Sequence, residues 1–209
     1  MGFDEDDSPY VVHQNHRIYV LPYAYSQLML EQNVNSPHRY LGGAIPEIEQ
    51  GSVFVDVGAA EGIMAVESLK RASKVYVIER DPSWLSRLNK TFSGEKNVTI
   101  INKYASCKDD EENITLDTLL DKVTEPILIK LDVEGMELEV LLGAENLLKK
   151  ENVKLLIATY HKPGDPETLQ AYMEERGFCT EFTDGYIAPM WPGVTAPYLR
   201  KALLRAWKE

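Results

Sequence analysis

The sequence predicts an α/β fold: a mostly parallel sheet of about seven strands, helices on both faces, and an antiparallel strand at one end. Two patterns carry this prediction. From Val53 onward, short apolar and β-branched runs alternate with longer stretches of helical period. Asp-Pro pairs and glycines then punctuate the helices where they should begin and end. A length of 209 residues suits one globular unit better than two domains with separate cores.

The elements follow in order. Residues 1–50 read as an N-terminal extension to a domain of residues 51–209. The extension holds His13, His16 and His38 and a group of tyrosines, Tyr19, Tyr23, Tyr25 and Tyr40, with no dominant sheet pattern. Tyr25 to Gln32 reads as a short helix, and the segment suits a lid over a substrate site, plain packing or a homodimer surface. The parallel strands are expected at Val53 to Val57, Lys74 to Glu79, Val98 to Asn102, Ile127 to Asp132 and Lys154 to Thr159, each followed by a helix. Asp81-Pro82 and Asp165-Pro166 place an N-cap acceptor before a proline at the first helical position, and Gly177 ends the second of these helices. Between the fourth and fifth strands a helix runs from an acidic start at Glu134, Glu137 and Glu139 to Lys149 and Lys150, with an apolar face of Leu138, Leu141, Leu142 and Leu148. Phe178 to Phe182 alternates like a strand, and Tyr198 to Trp207 reads as its antiparallel partner, with helix as the alternative.

Composition narrows the function. Lys and Arg total 22 against 33 Asp and Glu, a net charge of −11, which disfavours phosphate backbones and anionic lipid as partners. Cys107 and Cys179, far apart in sequence, are expected to be free thiols. No signal segment or bilayer-length apolar run is visible, so a cytoplasmic protein without a membrane span is expected. No His, Cys or carboxylate cluster is strong enough in the sequence to assign a metal site.

The first strand runs through Asp56 into Gly58-Ala59-Ala60-Glu61-Gly62, the place where open α/β sheets bind ligands. The glycine spacing is not that of a dinucleotide fingerprint, and Glu61 sets a negative charge where a pyrophosphate would sit, which argues against a nicotinamide oxidoreductase. An acidic lip of Asp56 and Glu61 suits a cationic cofactor instead, and S-adenosylmethionine carries both a sulfonium and an ammonium. Glu79, at the tip of the second strand about 20 residues beyond the glycine turn, is placed to accept from both hydroxyls of a ribose.

The fourth strand and its helix read Ile129-Lys130-Leu131-Asp132-Val133-Glu134-Gly135, then an acidic and apolar helix ending in Gly143-Ala144. This segment resembles the FkbM family of S-adenosylmethionine-dependent methyltransferases, whose signature is I-K-x-D-x-E-G followed by such a helix. The resemblance covers roughly Val53 to Thr159. It departs from the common form at Ala60-Glu61, where members often carry asparagine, and at Thr159-Tyr160-His161, where many carry glutamate. The resemblance implies a Rossmann-like class I methyltransferase sheet and O-methylation of a hydroxyl on a small-molecule or carbohydrate-like acceptor. The alternative is a non-catalytic protein of the same fold that binds the cofactor or a partner.

Residue roles follow from these placements. Asp56, Gly58, Ala59, Glu61, Gly62, Glu79, Arg80 and Asp132 are expected to hold the cofactor. Lys130, Asp132 and Glu134 share strand parity at the sheet's carboxyl edge, where clustered charge points to a site. Asp132 is the first choice for catalysis and His161, one step past the fifth strand, the second; Glu134 is assigned to substrate and Lys130 to structure.

Overall fold

The computed structural model describes residues 1–21, 36–41, 47–189 and 191–209. The expected helix at Tyr25 to Gln32 lies outside them. Where the sequence showed no sheet pattern, the chain builds a three-stranded antiparallel sheet from β1 (Gly2–Phe3), β2 (Pro9–His13) and β3 (His16–Tyr19). The β2–β3 turn is Gln14-Asn15, both at positive φ, 48° and 69°. A two-residue hairpin requires that conformation, but it is made here without the glycine that advertises it. Val11 and Ile18 are buried beneath this sheet.

The central sheet follows the sequence closely. β4 (Val53–Val57), β5 (Lys74–Ile78), β6 (Val98–Ile101), β9 (Ile127–Leu131) and β10 (Val153–Ala158) are parallel neighbours. Two short strands, β7 (Tyr104–Ala105) and β8 (Asn113–Ile114), pair with each other between β6 and β9. After β10 come β11 (Cys179–Phe182), the small pair β12 (Tyr186–Ile187) and β13 (Arg200–Lys201), and β14 (Leu203–Trp207). The seven-stranded order is β11-β14-β10-β9-β4-β5-β6, with β14 antiparallel to both of its neighbours. Leu203–Trp207 is thus a strand, not the alternative helix. Every residue of β4 and β9 is buried, as expected of strands covered on both faces.

Helices α1 (Ile63–Ser68) and α2 (Pro82–Thr91) cover one face together with the N-terminal sheet. The other face is covered by α3 (Leu116–Leu120), α4 (Glu137–Leu142) and α5 (Asp165–Glu174). Asp81 caps α2 as expected, its carboxylate accepting from Ser83 N at 2.7 Å. At α5 the cap is Gly164, and Asp165 Oδ2 instead accepts from Lys162 N at 2.7 Å. The expected helix to Lys150 is broken: α4 ends at Leu142, and a separate 3-10 turn spans Leu147–Lys149. The break falls at Gly143, where a Cβ would lie 2.1 Å from the Ser106 carbonyl oxygen. Cys107 is exposed, Cys179 is half-buried, and both are free thiols.

Candidate functional site

The chain runs outward from β4 to β6 and returns to place β9 on the other side of β4. The strand order therefore reverses between β4 and β9, and ligands of open α/β sheets bind at the carboxyl ends of the strands beside such a reversal. A cleft of about 560 Å³ opens there, with Gly58, Glu79, Arg80, Trp84, Tyr104 and Asp132 in its wall. Its size is that of a small-molecule site.

The glycine turn is held from below. Gly58 has φ +70°, and a Cβ on it would lie 1.9 Å from the carbonyl oxygen of Asp132, so the two loops approach too closely for any side chain. Lys130 lies opposite Asp56 in register and pairs with it at 3.2 Å, and its ammonium also donates to the Gly58 carbonyl. Asp56 Oδ2 accepts from Ala65 N in α1 at 3.2 Å. Lys130 thus ties β9 to Asp56 of β4 and to the Gly58 turn.

The expected cofactor residues divide in two. Gly58, Glu79, Arg80 and Asp132 line the cleft. Asp56, Ala59, Glu61 and Gly62 do not. Asp56 is fully buried between Lys130 and α1, and Ala59 belongs to the core. Glu61 is buried within the turn, so the expected acidic lip does not form. Gly62 is the N-cap of α1 and packs against Leu88 and Phe92.

Glu79 ties two loops together. Its Oε1 accepts from Arg80 N at 2.7 Å and from Asp81 N at 2.8 Å, and its Oε2 accepts from Ala60 N at 3.1 Å. Ala60 holds φ +48°, a conformation costly for a residue with a Cβ, and this bond helps to fix it. Arg80 stands over the Tyr104 ring at 5.8 Å and reaches Glu112 at 3.4 Å.

At the other end of the cleft Asp132 is the hub of a cluster that only tertiary structure assembles. Tyr40 donates its hydroxyl to Asp132 Oδ2 at 2.7 Å, and the Tyr160 hydroxyl lies 3.1 Å from both carboxylate oxygens. His161 Nε2 is 3.3 Å from Oδ1, and His38 Nε2 is 3.7 Å from Oδ2. Burial opposes the charge on Asp132. The His38 imidazole and the charges of Lys130, His38 and His161 outweigh it, and they hold the carboxyl well below the usual carboxylate range.

His161 lies between carboxylates. Its Nδ1 is 2.9 Å from Glu137 Oε1, while Nε2 faces Asp132 and, at 3.6 Å, Glu134 Oε2. Burial would lower its pKa, but Glu137, Asp132 and Glu134 outweigh burial and raise it. Glu134, with φ +55° and its side chain 89% exposed, sits at the rim of the cleft. No catalytic or binding role is read from the sequence for Tyr160 or Glu137, while His38 and Tyr40 belong to the extension for which a lid over the substrate site is one reading. Glu137 had a visible signal, its place in an acidic first turn, but that reads equally well as a helix-dipole residue. The sequence showed no metal-ligand cluster, whereas the fold brings ligating atoms of Asp132, Glu137 and His161 within 4.8 Å of one another.

Comparison with known proteins bears on this arrangement. Residues 108–179 match the methyltransferase FkbM domain, a stretch that includes Asp132, Glu134, Glu137 and His161. The hexuronic acid methyltransferase AglP of Haloferax volcanii is 27% identical over 166 residues, 66% of this chain and 68% of that protein. Among solved structures, an FkbM methyltransferase from Methylobacillus flagellatus superposes with a TM-score of 0.64 at 19% identity, over 82% of this chain; the chain spans only 47% of that protein. A precorrin-6y C5,15-methyltransferase from Geobacter metallireducens superposes with a TM-score of 0.54 at 15% identity, over 100% of this chain and 98% of the other. At these identities the structural matches speak for the fold alone, the mostly parallel seven-stranded sheet of class I methyltransferases. Among the described residues no helix is long and apolar enough to cross a membrane. With residues 108–179 matched by the methyltransferase FkbM domain and its sheet matched in structure, the chain resembles the FkbM methyltransferases.

Proposed function

We propose that the chain is an S-adenosylmethionine-dependent O-methyltransferase acting on a hydroxyl of a small-molecule or carbohydrate-like acceptor. The observation that carries this reading is the single cleft joining the Gly58 turn and Glu79 at one end to the Asp132 cluster at the other. The first end suits a nucleoside, because a carboxylate at the β5 tip meets a ribose there and Trp84 and Tyr104 offer rings near it. The name of the Haloferax relative, a hexuronic acid methyltransferase, supports a carbohydrate acceptor at the second end.

The bound cofactor would supply an electrophilic methyl on a sulfonium. The protein's own contribution is mainly alignment, which is worth roughly 7–11 kcal/mol when two reactants are held in line. Asp132 is a weak base, being held ionised by its neighbours. It nevertheless suits the task. Transfer of that methyl to the acceptor oxygen would leave the electron pair of the broken C–S bond on the cofactor's sulfur. The acceptor oxygen becomes positive, its proton becomes strongly acidic, and a weak carboxylate is then able to take it. His161, with Nε2 3.3 Å from Asp132 Oδ1, positions that carboxylate; this differs from the base role expected for it.

The test is transfer of an isotopically labelled methyl group from S-adenosylmethionine to a panel of hexuronic acid and neutral sugar acceptors, read by mass spectrometry and NMR. Label on a sugar oxygen is the expected result. Label on nitrogen or carbon would overturn the O-methyl assignment.

A further inference from the structure

We propose that Asp132, Glu137 and His161 form a binding site for a divalent first-row transition-metal ion at the inner end of the cleft. The three residues come from the ends of β9 and β10 and from the first turn of α4, and each offers a ligating atom within 4.8 Å of the other two. Two carboxylates and one imidazole make a mixed oxygen and nitrogen set. That set suits Mn²⁺, Fe²⁺ or Zn²⁺ better than Ca²⁺ or Mg²⁺, which prefer oxygen alone.

The second observation is independent of this proximity. Glu137 is 1% exposed, and only half of its carboxylate is accounted for. Oε1 accepts from Val133 N at 2.9 Å and Gly135 N at 3.3 Å, whereas Oε2 is buried without a hydrogen-bond partner. An ionised oxygen left so is costly, and a coordinated cation removes the cost. His161 Nδ1 repeats the pattern: it lies 2.9 Å from Glu137 Oε1 but is also without a hydrogen bond of good geometry. Glu137 Oε2 and His161 Nδ1 are thus two buried ligating atoms left without a hydrogen bond.

The surroundings fit as well. Ligating carboxylates are themselves normally hydrogen-bonded, and Asp132 accepts from Tyr40 and Tyr160 while Glu137 accepts from two backbone amides. Of the nearby lysines, Lys130 is engaged by Asp56 and Gly58, and Lys162 donates to the Gly135 carbonyl. Neither ammonium bonds to Glu137 or Asp132. Asp132 is the member that lines the cleft, so coordination positions left open on its side suit hydroxyl or carboxylate oxygens of an acceptor.

The test uses Mn²⁺ alone, titrated into the chelator-stripped 209-residue protein and followed by loss of the free-ion EPR signal. About one equivalent should bind, and Zn²⁺ should displace it, since a given site takes Zn²⁺ more tightly. Glu137→Gln keeps an oxygen for the two backbone amides, and His161→Gln is a second variant. Each should weaken binding at least tenfold while circular dichroism shows the fold retained. Folded wild-type protein that leaves both ions free, or binding unchanged in both variants, would overturn the proposal. Because no cofactor is present, this outcome is independent of whether S-adenosylmethionine binds.

Discussion

Replacing Glu79 with glutamine probes the cofactor end of the cleft most sharply, because the geometry limits what this side chain is able to do. A carboxylate offers about four acceptor positions. Backbone amides of Ala60, Arg80 and Asp81 take three of them, which leaves one, on Oε2, for a ribose hydroxyl. One bond to a charged acceptor is worth about 1.5–3 kcal/mol, against about 0.5–1.5 kcal/mol for a neutral one. Glu79→Gln should therefore weaken S-adenosylmethionine by roughly 1–1.5 kcal/mol, or about 5- to 13-fold, in calorimetric titration. The amide nitrogen must also face at least one of the three backbone N–H groups. An orphaned donor costs about 1–3 kcal/mol, which for a chain of this length lowers Tm by roughly 2–12 °C. Unchanged affinity in the folded variant would refute the ribose assignment. A loss of a thousandfold or more would show that the loop had collapsed, which refutes the reasoning from a single remaining acceptor.

Other perturbations test separate parts of the molecule. Asp132→Asn should leave cofactor affinity within a few-fold while cutting methyl transfer by more than ~100-fold, measured by the rate of S-adenosylhomocysteine release with an acceptor in hand; an undiminished rate would remove Asp132 from the chemistry. Gly58→Ala should destabilise the fold by ~1–2 kcal/mol for the left-handed backbone alone and further for the contact with Asp132, and a thermal scan whose Tm fails to move would contradict the packing of the two loops. At the N-terminus, the bond from Lys90 holds the Asp4 carboxyl down at about 2, tying the small sheet to α2. A depressed carboxyl stabilises above its unfolded value and loses that contribution as pH falls through its folded value. Hydrogen exchange in β1 and β2 should accelerate between about pH 4 and pH 2, and Lys90→Gln should flatten that dependence.

The parallel strands were legible because strands buried on both faces must be apolar throughout, and Val53–Val57 and Ile127–Leu131 are unbroken but for one paired charge each. Gly58, Glu79 and Asp132 were legible for a related reason: topology places strand tips and their turns at one edge, so position along the chain predicts position in the site. The lip of Asp56 and Glu61 failed because sequence order does not say which residues of a tight turn point inward. The Asp132 cluster was out of reach for a different reason. Tyr40 lies 92 residues from Asp132, and nothing in its neighbourhood distinguishes it from a packing tyrosine. Glu137 looked like any acidic residue in a first helical turn, and only its burial against His161 sets it apart. The N-terminal sheet was missed because its strands are two to five residues long and its hairpin turn lacks the usual glycine.

The central claim is that the cleft between the Gly58 turn and Asp132 holds S-adenosylmethionine. Calorimetric titration of the folded wild-type protein with S-adenosylmethionine, and in parallel with S-adenosylhomocysteine, tests it directly. The account predicts saturable binding of both at one site per chain, with binding weakened by Glu79→Gln. Folded protein that takes up neither ligand would contradict it.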